Sequence, residues 1–275
     1  MCQKSNHGVK PKEVVVMVTT EHRTPGAARP VQIRQYTLAG VLGTWAAAAL
    51  PMAALFWGIG PLLAHALGGP FALIRALVLV ATAGLAWQFL LVLILVYREQ
   101  ESLRWSVLKD ALWLHAPRSP RTGRRGRWLW LVVIPLVVAF GVEELLPTLR
   151  EPESRALGHF LGSDASHQFL SGNWGWFGIL AAMVVFNTVL GEELLFRGLL
   201  LPRMQGVFGR WDWAANGVLF AVYHLHEPWG IPRTLLDAFI LAYPSKRYHS
   251  ALIGIAVHSA QSVLILGVAL TLVLR

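Results

Sequence analysis

The sequence predicts an all-α fold: a polytopic transmembrane helical bundle of about seven to eight helices, one or two of them short or interfacial. Three observations carry that expectation. Only 14% of the 275 residues are charged while 55% are hydrophobic, whereas a soluble domain carries about a quarter charged. Residues 71–97, 128–147 and Ala251–Leu274 form apolar runs that reach the roughly 20 residues a helix needs to cross a bilayer. These runs are apolar throughout rather than alternating, which favours helices over the strands of a closed barrel.

The elements follow in order. Residues 1–34 read as a polar basic cytoplasmic tail, carrying Lys4, Lys10, Lys12, Arg23, Arg29 and Arg34 and lacking the early apolar core of a signal peptide. Residues 35–275 read as the transmembrane domain. Cys2 is the single cysteine, so an internal disulfide and a cysteine-rich metal site are excluded; it is either incidental in a tail or a lipid acceptor. The formal charge is +9, and the positives crowd before the first span and between Arg98 and Arg127. That is the distribution of cytoplasmic loops and suits anionic lipid. No nucleic-acid motif is present, so no nucleic-acid partner is expected.

From this bias Leu38–Leu67 runs outward, interrupted by Pro51 and Pro61, and a Gly68-Gly69-Pro70 turn leads into 71–97, which returns. Residues 99–114 mix Leu103, Val107, Leu108, Ala111 and Leu112 with Glu101, Arg104, Lys109 and Asp110. They read as an amphipathic helix, lying at the cytoplasmic interface or packed on other protein. Residues 128–147 cross outward and end at Glu143 and Glu144, read as a solvated terminus. The polar stretch 150–172 lies outside, 174–204 returns to a basic turn at Arg203 and Arg210, and 213–226 goes out again. Residues 235–243 are too short to span and lead to Lys246 and Arg247, and Ala251–Leu274 closes the chain.

Ionisable groups at bilayer depth are costly and are treated as functional first. Glu193 and Arg197 are four apart and share a helix face, so they can pair. Glu192 points about 100° away with no partner at helical spacing, and a desolvated carboxylate without a cation suits general-base work. Phe220 and His224 share a face of the next helix; His226 faces elsewhere and is assigned to the outer loop. His258 and Ser262 project together from the last helix, with Ser259 and Gln261 nearby, residue types that also serve as interhelical hydrogen-bond partners. Counted at 1.5 Å per residue from the cytoplasmic end, Glu192 lies about 18 Å deep, His224 about 17 Å and His258 about 12 Å. A carboxylate and two imidazoles therefore converge on one pocket, expected to open to the cytoplasm.

Glu192-Glu193-x-x-x-Arg197, Phe220-x-x-x-His224 and His258-x-x-x-Ser262 resemble, in order and helical setting, the three motifs of the type II CAAX prenyl endopeptidase family, which includes the bacteriocin-processing and immunity (Abi, CPBP) proteins. The resemblance covers about residues 174–274. It implies an intramembrane glutamate protease in a multi-pass cell membrane, a bacterial inner membrane by the family's bacterial branch, acting on a membrane-associated, prenylated, leader or sorting-signal peptide without cofactor or metal. By position, Glu192 is the general base, His224 helps activate water, and His258 with the residue four later stabilises the oxyanion. Glu193, Arg197 and Phe220 support the site. The family commonly has Asn where this chain has Ser262, a shorter donor.

Other chemistries remain beside this one. Two histidines and a carboxylate are a known zinc set, although His-Glu-x-x-His is absent. Gly-x-Ser-x-Gly and Gly-x-Gly-Asp, the signatures of other serine and intramembrane aspartyl proteases, are also absent. An immunity or scaffold protein would use the same pocket to bind a peptide without cutting it. A transporter would show repeated Gly- or Pro-broken helices, which are not found.

Overall fold

The computed structural model describes residues 31–275; the first 30 residues, with Cys2 and most of the basic tail, lie outside the described residues. Its helices are α1 (Leu38–Leu67) and α2 (Ala72–Gln100), α3 (Trp105–Ala111), α4 (Val133–Glu144, continuing a 3-10 turn at Arg127–Val132), and the short α5 (Leu157–Leu161) and α6 (Asp164–Leu170). They are followed by α7 (Trp174–Arg203), α8 (Asp212–Tyr223) and α9 (Ala251–Leu274). Short helical pieces at Ile231–Thr234, Ala238–Ala242 and Tyr243–Arg247 join the last two. Among the described residues four helices, α1, α2, α7 and α9, are long and apolar enough to cross a membrane. This is a polytopic helical bundle, as composition predicts.

The two prolines do not interrupt α1. Pro51 has no N–H for the Ala47 carbonyl, and the indole Nε1 of Trp87 on α2 donates to that carbonyl at 2.8 Å. The turn beyond relaxes into a π-helical stretch at Leu55–Ile59, which absorbs the strain without breaking the rod.

Helix α8 departs from the expected crossing. It stops at Tyr223 after 12 residues, about 18 Å of rise, so the chain turns back part-way across. Carbonyls in its last turns and just beyond its end find donors from elsewhere: Trp45 Nε1 donates to Leu219 O at 2.8 Å and Trp57 Nε1 to Leu225 O at 2.9 Å. A chain reversal inside lipid depth is tolerable only where neighbouring protein satisfies the backbone in this way.

Contacts at the ends of the rods define two faces. At one, Tyr36 N donates to Arg203 O at 2.9 Å, Arg203 pairs with Glu99 at 2.7 Å, Arg118 N donates to Tyr248 O at 2.9 Å, and Lys246 pairs with Asp212. At the other, Gly172 N donates to Val273 O at 3.0 Å and Leu149 N to Trp229 O at 3.0 Å, and the Arg155 guanidinium lies 4.3 Å over Trp57. The arginine-rich stretch Arg118–Arg125 therefore shares one face with Arg203 and Lys246, and residues 149–172 share the opposite one. Helix α3 takes the second of its two expected settings: Ala111 and Leu112 are buried, with Leu112 against Gly198 of α7, and Trp105 turns outward.

Apolar side chains are split by environment. Val41, Ala48, Met52, Leu85, Val92 and Leu195 fill the interior. Ile134, Val138 and Val142 form a stripe at four-residue spacing on α4 that stays exposed, the surface expected to meet lipid tails.

Candidate active site

Helix α7 changes register where its polar residues begin. It is π-helical over Phe186–Gly191 and again over Leu194–Leu200, and such i→i+5 stretches collect at functional sites. Gly191 is required there: a Cβ would fall 3.2 Å from the Leu85 carbonyl of α2 and 2.5 Å from the Phe186 carbonyl. The widened turn carries Asn187 round to Glu192, five residues on. With its nitrogen towards the carboxylate, the Asn187 amide donates to the two oxygens at 3.0 and 3.2 Å. On a regular helix the two residues stand about 140° apart, which is why the sequence shows Glu192 without a partner.

Glu192 is 3% exposed and lines a cavity of about 130 Å³ together with Asn187, His224, His226, Glu227 and Arg155. Tyr223, fully buried, accepts from Gln88 Nε2 at 2.5 Å, and its hydroxyl lies beside the Glu192 carboxylate. The acid is thus held by amide and phenol dipoles, without a cation in contact.

His224 caps α8, and its Nδ1 lies 2.9 Å from the Phe220 carbonyl. A carbonyl only accepts, so Nδ1 carries the proton and the neutral ring keeps Nε2 as a lone-pair site. Phe220 meets the His224 ring edge-on at 4.9 Å and bears the Arg197 guanidinium 4.0 Å above its own ring.

The expected Glu193–Arg197 clasp is present at 2.9 Å, with both side chains fully buried. Glu193 also bonds His258: Nδ1 lies 3.1 Å from the same Oε1. The carboxylate therefore orients the His258 ring and leaves Nε2 free. Gly254 makes this possible, since a Cβ there would sit 2.3 Å from Glu193 Oε2.

Ser262 is placed differently from expectation. Its hydroxyl donates to Thr188 Oγ1 at 3.0 Å, and Thr188 donates on to the Val184 carbonyl at 3.2 Å. The proton expected to serve an oxyanion is turned into the α7–α9 contact instead. Gln261 is committed too, donating to Glu144 Oε1 at 2.8 Å.

Two further expectations change. Glu143 is not a solvated terminus: it is 3% exposed and faces Arg233 at 3.8 Å. The cavities around His224 are lined by Glu151, Arg155, Leu157 and Trp229, residues of the face that carries 149–172. The site opens towards that face and not towards the arginine-rich one, because α8 stops before reaching the far side.

Sequence reasoning missed Asn187, Tyr223, Gln88, Thr188 and His226. His226 does not face elsewhere; it stacks on His224 with centroids 5.4 Å apart. Helical periodicity misplaced it because the helix ends at Tyr223. Among the described residues no three His, Cys, Asp or Glu side chains stand close enough to share a metal ion.

Residues 173–264 match the family described as Type II CAAX prenyl endopeptidase Rce1-like. No curated protein and no solved structure matches the chain.

Proposed function

We propose that this membrane protein is an endopeptidase using Glu192 as its general base, a reading supported by the match of residues 173–264 to the family described as Type II CAAX prenyl endopeptidase Rce1-like. One observation carries the reading. Glu192 and His224, from helices of opposite direction, line a single cavity inside the bundle.

A water between them gives its proton to Glu192 as its oxygen bonds the scissile carbonyl carbon, while the Nε2 lone pair of His224 accepts the second water hydrogen and fixes the attack direction. His258, held through Nδ1 by Glu193, donates from Nε2 to the developing oxyanion. Collapse breaks the C–N bond, and the proton held by Glu192 passes to the leaving amine. Asn187 and Tyr223 hold the Glu192 carboxylate in place, and Ser262 secures α9 to α7 through Thr188. A cleft between α4 and α9, of about 640 Å³ and lined by Val137, Gly141, Leu264 and Ile265, supplies a lateral route for a peptide arriving along the membrane.

Taking the arginine-rich face as cytoplasmic, the substrate reaches the site from the outer side. The test is cleavage of a quenched peptide library by purified protein. Glu192→Gln and His224→Ala each abolish cleavage while thermal unfolding stays near wild type. Cleavage retained in either folded variant removes the mechanism. A peptide-binding scaffold would instead keep its cellular phenotype in Glu192→Gln.

A further inference from the structure

A second chamber adjoins the Glu192 cavity, and its chemistry is unlike that of the rest of the chain. It has a volume of about 150 Å³ and is lined by Glu143 and Glu144 from the end of α4, Glu151 from the following loop, and Glu227, Arg233 and Asp237 from the segment after α8. His224 and Glu227 line both spaces, so whatever occupies the chamber lies next to the reacting bond. A protein of net charge +9 here gathers five carboxylates around one guanidinium.

The polar atoms of the wall are unequally satisfied. Arg233 Nη1 lies 3.3 Å from Glu144 Oε2 and its Nε 3.8 Å from Glu143 Oε1. Gln261 donates to Glu144 Oε1 at 2.8 Å and Thr148 to Glu151 Oε2 at 2.9 Å. Glu143 Oε2 and Asp237 Oδ1 accept from no N–H or hydroxyl of the described residues; both residues are 3% exposed and their carboxyls meet each other. A structural clasp by Arg233 explains the outer oxygens and leaves the two inner ones facing only each other, a buried acid pair that must hold a proton or meet a cation because acceptors without donors are costly. The room is sufficient for several waters or one ammonium or guanidinium on its stem.

We infer that this chamber is a subsite for a cationic side chain, Lys or Arg, of the peptide cleaved between Glu192 and His224. The inference rests on the peptidase reading of the adjoining cavity. The inner oxygens of Glu143 and Asp237 take the donors, Glu151 and Glu227 flank the entry, and the cation is desolvated against acids instead of lipid.

Arginine amide and its uncharged isostere citrulline amide probe the full-length protein in detergent, read by thermal unfolding. Arginine amide half-saturates at a concentration at least about tenfold lower than citrulline amide, as a charged hydrogen-bonded contact requires. Asp237→Asn and the half-buried Glu151→Gln each erase most of that ratio, and Glu192→Gln leaves it intact. Matched quenched peptides bearing Lys or Gln then differ in KM more than in kcat. Equal response to the two amides, as would follow if Glu143 and Asp237 simply share a proton, overturns the subsite, as does a ratio unchanged in a folded acid variant. If wild type prefers the cation but cleaves no peptide, the peptidase reading falls and the subsite stands; if it cleaves without charge preference, the reverse holds.

Discussion

Gly254→Ala is the substitution that most directly tests how the site is held, because the sequence marks this glycine in no way. A Cβ at 254 would lie 2.3 Å from Glu193 Oε2, 3.1 Å from Ser245 Oγ and 3.3 Å from Arg197 Cγ. Ordinary contact needs the carboxylate to retreat by roughly 1 Å, since non-bonded atoms sit near 3.5 Å. Glu193 is completely buried and has nowhere to go without leaving Arg197 at 2.9 Å or His258 at 3.1 Å. Overpacking alone costs about 1–3 kcal/mol; if the buried pair separates, the cost approaches that of breaking it, about 3–5 kcal/mol. A shift of that size in the His258 ring also lowers the rate by about 100-fold. Gly267→Ala, on the same helix with nothing within 4 Å of its Cβ, is the control and is neutral or stabilising by up to about 1 kcal/mol. Thermal unfolding and peptide cleavage are read on both variants in detergent. A Gly254→Ala protein with wild-type stability and wild-type turnover would refute the clasp as the element that orients His258.

The neighbouring contacts make separate demands. Asn187→Ala removes the donors at 3.0 and 3.2 Å from Glu192 and lowers kcat by about 10- to 100-fold, the equivalent of one hydrogen bond to a charged group; an unchanged kcat would mean that the amide does not position the base. Ser262→Ala loses about 1 kcal/mol of stability with its bond to Thr188 but less than about threefold in rate, whereas loss of an oxyanion donor costs about 100-fold or more, so steady-state kinetics separates the two roles. In a Cys2→Ser background, Glu153→Cys reacts with an impermeant maleimide in intact cells and Thr122→Cys reacts only after lysis; the opposite pattern would put the mouth of the site on the cytoplasmic side.

Much of this architecture is written in the chain itself. The apolar runs at 38–67, 71–97 and 251–274 become helices of nearly those bounds, because in lipid a backbone must satisfy itself and length then decides what spans, whereas 128–147, expected to cross, forms only the 12-residue helix Val133–Glu144 after a 3-10 turn. The gathering of Arg118, Arg203 and Lys246 on one face follows from the arginine distribution. Four-residue spacing alone predicts the Glu193–Arg197 clasp. The three family-like motifs single out Glu192, His224 and His258 from the sequence alone.

Only the tertiary structure decided the rest. A π-helical turn shifts register by one residue, so Asn187 meets Glu192 where a regular helix would hold them apart. The early stop of α8 places His226 on His224 and turns the mouth of the site to the face of 149–172. Ser262 gives its proton to Thr188, 74 residues earlier, and Glu143 is buried by Arg233 from a segment about ninety positions away. Periodicity describes one rod at a time; partners that satisfy a buried polar atom come from other rods, and their positions are set by packing.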